Sequence, residues 1–420
     1  VQTCALPIWD KFFVFFFLVF FYGFFNFILG PSFDYYKVFL FVYAFLLFGK
    51  YISKRNDKKD KYINWLFVLF SIAFWISYYL NPFSIISALS QYLLKYGAPI
   101  LLYHWYKKTH KIFPLQRKHL KWILYLVILQ VGFSILKVLI IEIREPIVGS
   151  VRYAGGQPAV GIPIAALIFF WVYKNGRFTK KDWIMAISFL FIAIASTKRT
   201  PVFLYPVFIL LLMVWVPRKK ILMSRILKYT PIVLILLYAG IRAIPTLNPE
   251  QKVWGSFDPE FAIDYALRYQ FGIEEGESKS DLIDSYGASA KALFIPSTYQ
   301  NLDINEVFFG SGIFQYRMID REEFKSSYAS KINAKGRGFL GAAFKDIMSL
   351  GLIGFFTFFI LNIIIILQAK TRIRWVIMLL YLYIYFLYTS NIFTQLSVLL
   401  IILPVIFQAQ NTYNTKLEKD

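Results

Sequence analysis

The chain has 420 residues, 58% of them hydrophobic and 20% aromatic, with a mean hydropathy of +0.54. A soluble domain of this length cannot present so apolar a composition to water, which excludes that class. The formal charge of +22 would suit a nucleic-acid binder, but the cations sit in short loops flanking apolar runs rather than on one face, and that excludes nucleic acid as a partner.

In chain order, Val1–Ile8 is the translation of GTTCAGACGTGTGCTCTTCCGATC, which resembles a sequencing-library adapter. This octapeptide is set aside as an artefact, and with it Cys4, the single cysteine. Apolar stretches of about the length that spans a bilayer follow. They are read at 12–29, 37–52, 63–80, 85–106, 122–141, 161–173, 183–195, 202–216, 229–244, 347–368, 375–389 and 392–408. The predicted fold is an all-α polytopic integral membrane protein of about 12 transmembrane helices with one large extracytoplasmic loop. Its parts are a bundle over 9–244, a loop domain over 245–346, further spans over 347–410 and a tail over 411–420.

The loops between the spans are sorted by charge. Alternate gaps (53–62, 107–121, 174–182, 216–228, 369–374 and 411–420) hold 25 Lys and Arg, and the other short gaps hold 5. Basic loops stay on the cytoplasmic side, so both termini are expected inside and the 245–346 segment outside the membrane. That segment carries 11 basic and 15 acidic residues, helix-like stretches at Pro259–Phe271 and Ser278–Leu293, and turn signals at Pro296-Ser297 and Gly310-Ser311-Gly312. It is too long to be a mere connector.

Candidate residues lie mostly on the expected outer face. Lys95 and Lys137 are intramembrane cations, and Glu142 is near enough in sequence to pair with Lys137. Arg152-Tyr153-Ala154-Gly155-Gly156-Gln157-Pro158 sets a fork-shaped anion binder beside two glycines; a plain Gly-Pro turn with an interfacial Arg is the competing reading. Lys198 and Arg199, within Ser196–Pro201, place two cations where the charge rule disfavours them, either to hold a diphosphate or to snorkel to headgroups. Arg242 ends the ninth span with the same two readings. Gly310 and Gly312, followed by Gln315, Tyr316 and Arg317, suit either amides facing an oxyanion or an ordinary tight turn. Arg337 and Lys345 then lead into Gly351-Leu352-Ile353-Gly354. His104, His110 and His119 fall at or within a basic loop, no metal motif is evident, and no cofactor is expected.

The order of these elements resembles the O-antigen ligase and polymerase superfamily. An Arg-Gly loop precedes a mid-chain span. STKRTP matches the family's Ser-Arg turn at Arg199, and a Gly-x-Gly lies in a long outer loop. DIMSLGLIG at 346–354 matches the Gly-Leu-Ile-Gly re-entry. The resemblance implies a GT-C-like fold and a metal-independent glycosyltransferase acting on an undecaprenyl-diphosphate-linked glycan in the lipid bilayer. Chain-length regulator and flippase proteins are the implied partners. Arg199 becomes the principal diphosphate binder, with Arg152 second and Arg268 as the matching loop Arg. Ligases of the family carry a His ahead of the re-entry. Here Gly336-Arg337-Gly338-Phe339-Leu340 stands in its place, which favours a polymerase and leaves the general base unnamed. A lipid-linked oligosaccharide flippase is the alternative of another class. Unequal halves and a single large loop disfavour it.

Overall fold

The structure, a computed structural model, describes residues 14, 17–21, 58–80, 82, 84–112, 117–141, 149–150, 158–216, 223–271, 303–312, 341–369, 372–387 and 391–408. Every regular element among them is helical. In chain order they are α1 (Lys58–Leu80), α2 (Ile85–Gln91) running through a π-helical turn (Tyr92–Gly97) into α3 (Ala98–Ile112), α4 (Arg117–Ile141), α5 (Pro158–Tyr173) and α6 (Lys180–Ala195). Then come α7 (Thr200–Leu210), extended by a second π-helical turn (Leu211–Trp215), α8 (Met223–Ala243), α9 (Pro259–Phe271), α10 (Ile304–Phe309), α11 (Ala342–Ile366), α12 (Ile373–Leu387) and α13 (Leu396–Gln408). The predicted spans from 63–80 onward each fall on one of these helices. The span at 37–52 lies outside the described residues, and that at 12–29 is described only at 14 and 17–21.

Asp60–Leu80, Ile85–His110, Arg117–Ile140 and Ala342–Ile366 are long and apolar enough to cross a bilayer. At 1.5 Å per residue each reaches about 30 Å or more. With the shorter apolar helices they make this an α-helical membrane protein. Burial sorts the helices as lipid requires. α5 is buried on every side, the mark of a central helix. α1 and α4 turn outward large apolar side chains such as Trp65 and Leu139, which are 67% and 77% exposed.

The helix ends gather in two sets. At one end Lys107 pairs with Asp60 at 2.7 Å and the Arg117 guanidinium lies 5.7 Å from the Tyr173 ring. There too Lys174 pairs with Asp182 at 2.7 Å, and Arg372 Nη1 donates to the Trp215 carbonyl at 3.0 Å. These residues come from the basic gaps, which the helix packing therefore brings to one end in the described residues. At the other end Ser77 bonds to the Ser349 carbonyl, Gly161 packs on Ile384 and Val398, and Gly240 packs on Val202. The large segment leaves the bundle there. Asn248, fully buried, ties its first turn by donating to the carbonyls of Ile244 and Lys252 at 3.1 and 3.0 Å.

α11 differs from the predicted span 347–368 in two ways. It starts at Ala342, so Asp346 lies inside the helix rather than at the end of the loop. It is also broken at Gly351, where φ is 65° and ψ −177°, a region open essentially to glycine alone. The break lets the backbones of Phe308 and Gly310 touch those of Ser349 and Gly351 with no side chain between them. Gly351→Ala should cost at least about 1–3 kcal/mol from the backbone alone. Gly132→Ala, in open space on exposed α4, should gain about 0.5–1 kcal/mol. Thermal unfolding of the two purified variants in detergent checks both signs.

α6 begins with a capping box: the Thr179 amide donates to Asp182 Oδ2 at 2.8 Å, and the Asp182 amide donates back to Thr179 Oγ1 at 3.4 Å. Burial acts to raise the Asp182 carboxyl, but the Lys174 ammonium and the Thr179 amide and hydroxyl outweigh it and hold the group below the usual carboxylate range. Since the folded state binds this proton more weakly than the unfolded chain, the cap contributes fully above about pH 4. It is lost as the pH falls through the lower folded value. The melting-temperature gap between the native protein and Asp182→Asn should therefore be widest near neutrality and close below about pH 4.

Candidate functional site

Two constellations occupy the end from which the large segment leaves. The first is built on the turn between α6 and α7. Ser196 closes α6 and Thr197 takes a positive φ of 53°. The Lys198 amide then donates back to the Ala193 carbonyl at 2.9 Å, and Pro201, with its fixed φ, is the second residue of α7. This tight reversal puts Arg199 at the N-cap of α7. Its Nε donates to Thr246 Oγ1 at 2.6 Å and its guanidinium lies 4.4 Å from the centre of the Tyr265 ring on α9. The large segment thus clasps Arg199 from two sides, one polar and one aromatic. Lys198 is half-buried beside it.

Arg242 is held by its own segment. Nε donates to the Gly255 carbonyl at 2.7 Å and Nη1 to the Tyr238 hydroxyl at 2.6 Å, while the guanidinium lies 5.0 Å from the Trp254 ring centre. These contacts fold the 251–255 turn onto α8. Gly310 and Gly312 both take positive φ, 81° and 108°. The Gly310 amide donates to Glu306 at 2.7 Å and the Ser311 amide to Met348 at 2.9 Å, so these two donors serve α10 and α11. At Gly310 the arrangement is that of a turn. Arg268 lies on α9. Arg152, Gln315, Tyr316, Arg317 and Arg337 lie outside the described residues.

The second constellation was only half visible in the sequence. Lys95, singled out as an intramembrane cation, pairs with Asp346 Oδ1 at 2.9 Å. Tyr96 donates to the same oxygen at 2.9 Å, and Tyr385 on α12 donates to Oδ2 at 2.9 Å. Lys95 Nζ also donates to the Tyr96 hydroxyl at 2.7 Å. The Asp346 side chain is 1% exposed and that of Lys95 30%. Asp346, Tyr96 and Tyr385 went unnoticed as site residues. The available signal was an acidic residue inside the matched DIMSLGLIG motif together with an unpaired intramembrane Lys. No group of three or more His, Cys, Asp or Glu able to hold a metal occurs among the described residues.

No protein-family model, curated protein or solved structure matches the chain.

A buried carboxylate stripped of its cation is costly, about 3–5 kcal/mol for a pair broken from one side. Lys95→Met should lower the melting temperature sharply. Lys95→Met/Asp346→Asn should recover most of the loss, because the amide still meets both tyrosine hydroxyls without a charge. Thermal unfolding of the purified single and double variants measures it, and equal loss in both would show that the ion pair is not the cause.

Proposed function

We propose that the chain is a glycosyltransferase of the O-antigen ligase and polymerase kind, polymerising undecaprenyl-diphosphate-linked oligosaccharide repeat units on the outer face of the bacterial cytoplasmic membrane. On this reading the fold is GT-C-like with about 12 spans, both termini are cytoplasmic and the 245–346 segment is extracytoplasmic. The chemistry is metal-independent, and chain-length regulator and flippase proteins are the partners. An O-antigen ligase is the nearer alternative; the Gly336–Leu340 stretch, without a His, favours the polymerase.

The observation that carries the reading is the clasped Arg199. A guanidinium fixed by Thr246 and Tyr265 has its plane set before substrate arrives, which lowers the cost of ordering it on binding. Arg is suited to phosphate because its planar fork makes bidentate, charge-assisted hydrogen bonds. In the reaction the bond from the anomeric carbon to the diphosphate oxygen breaks as an acceptor hydroxyl oxygen bonds to that carbon. The hydroxyl proton passes to a general base, which the sequence leaves unnamed, and the diphosphate departs with the bonding electrons. Fixed positive charge at the leaving diphosphate stabilises that transition state. Arg199 takes this role, with Arg152 as its expected companion and Lys198 adding charge nearby. Arg268, Arg242, Arg317 and Arg337, with Gln315 and Tyr316, are the further donors through which the large segment would hold glycan and phosphate.

One observation favours the second reading, a flippase for the same lipid-linked glycan. α11 is discontinuous at Gly351 beside a buried Lys–Asp pair, a combination found at transporter binding sites. The two readings part on where intermediates accumulate when the gene is lost: single repeats outside for the polymerase, lipid-linked units inside for the flippase.

Arg199→Ala should abolish long chains while the protein still inserts and accumulates. Arg199→Lys should fail too, because an ammonium cannot replace the fork. The length distribution of surface polysaccharide in a complemented deletion strain reads both, and normal long chains from Arg199→Ala would remove the central residue of this reading.

A further inference from the structure

The first turn of the large segment is rigidly built and yet keeps little of its apolar surface inside. The Gly255 amide donates to the Arg242 carbonyl at 3.0 Å, and Arg242 Nε donates back to the Gly255 carbonyl at 2.7 Å. Asn248 fills the loop from within, donating to the Lys252 carbonyl at 3.0 Å and packing on Gly255. This scaffold holds Val253, Trp254 and Phe257 outward, 50%, 54% and 44% exposed. Trp254 also takes a φ of 64°, which strains a bulky residue and which glycine enters freely. Its ring meets the Arg242 guanidinium at 5.0 Å, but over half of its surface stays outside the fold. Strain kept in place to present an indole outward points to a partner beyond the protein's own packing.

The adjoining face of α8 identifies that partner. α8 packs on α7 through Gly240 against Val202, and elsewhere it turns Leu234, Ile235 and Tyr238 outward. Positions 234, 238 and 242 repeat at helical spacing, so this apolar stripe runs up one face and ends at Arg242. At 1.5 Å per residue Leu234 lies about 12 Å along the helix from Arg242. Tyr238 joins stripe to turn: its ring centre lies 5.0 Å from that of Phe257, and its hydroxyl accepts from Arg242 Nη1 at 2.6 Å. In an α-helical membrane protein such an outward stripe faces acyl chains. Trp and Tyr at the end of it belong at the headgroup level, where one part of the side chain is apolar and the other wet. The residues just before Val253 are of the opposite kind, since the exposed Lys252 ammonium pairs with Glu250. The turn is therefore amphipathic, and its apolar side continues the lipid-facing side of α8.

We propose that the 253–257 turn is an interfacial anchor. Val253, Trp254 and Phe257 enter the headgroup layer of the bilayer at this end, while Glu250 and Lys252 stay in water. Arg242 is the staple that holds the turn against α8. The large segment thus rests on the membrane surface before it departs from it. Thr246 and Tyr265, which clasp Arg199, flank the anchor in sequence, so it holds the clasp at one depth. The anchor needs no particular substrate and stands whether or not the chain is a glycosyltransferase.

The test is the depth of spin labels on Leu234→Cys, Lys252→Cys, Val253→Cys and Phe257→Cys, each made singly in a cysteine-free full-length chain in phosphatidylcholine nanodiscs. All four positions are exposed, so labelling spares the packing. Power saturation compares collisions with oxygen, which concentrates in the bilayer, and with a water-soluble nickel chelate. Oxygen collisions should exceed nickel collisions at 234, 253 and 257, and the order should reverse at 252. Trp254→Gly, which also relieves the backbone, should raise nickel collisions at 257 without lowering the melting temperature in detergent. Nickel access at 253 and 257 equal to that at 252 means a turn standing in water and overturns the proposal. Shielding of 253 and 257 from both reagents means a protein cover, from this chain or a second copy, and overturns it as well. Nickel access at 234 would remove the lipid face on which the inference is built. A lower melting temperature in Trp254→Gly would show that the indole serves the fold, and unchanged nickel access at 257 that it anchors nothing.

Discussion

A carboxylate that is 1% exposed inside a membrane protein has to be paired, and that requirement organises one end of this molecule. Asp346 is satisfied only where three elements converge: the π-helical turn that brings Lys95 and Tyr96, the first half of α11, and the end of α12 with Tyr385. The π-helical turn and the break at Gly351 are departures from regular helix on either side of the same pair. Irregular helix in a membrane is tolerated where neighbouring elements satisfy the freed groups. Here Ser77 and Ser311 do so, bonding to the carbonyls of Ser349 and Met348 just before the break. The pair thus locates the return of the large segment into the bundle.

The rest of that end follows from the same economy of charge. At the opposite end the cations are numerous and are matched by Asp60, Asp182 and the rings of Tyr173 and Trp215. At this end they are fewer, and three of the described ones have distinct settings. Arg242 folds a turn onto α8, Arg199 is clasped by the large segment, and Lys95 is held by Asp346. The exceptions to the charge rule therefore differ in kind. Arg242 is tied to its own segment, Arg199 to the large segment that clasps it, and Lys95 to α11.

Much of this was legible in the sequence because hydropathy and charge are one-dimensional signals. The spans from 63–80 onward and the two classes of loop need only windows of apolar residues and counts of Lys and Arg. Lys95 and Arg199 were legible as violations of those rules. Asp346 was not, because a window that starts a span at 347 treats a preceding acid as loop, and only a partner 251 residues away makes it tolerable inside a helix. Tyr96 and Tyr385 were hidden for another reason: in a chain with 29 Tyr, composition cannot say which two hydroxyls converge on one carboxylate. The Gly-x-Gly pattern left a ligand cradle and an ordinary turn both open; at Gly310 the backbone is bare so that two turns can touch.

The account depends most on which way this end faces, because a lipid-linked glycan can be extended outside only if Arg199 and Asp346 lie there. Single cysteines at Lys252, beside the Arg199 end, and at Lys180, at the base of α6, can be placed in a cysteine-free background and treated with a membrane-impermeant maleimide in intact cells whose outer layer has been made permeable. The account predicts labelling at position 252 in intact cells and at position 180 only after the cytoplasmic membrane is broken. The reverse pattern would contradict it.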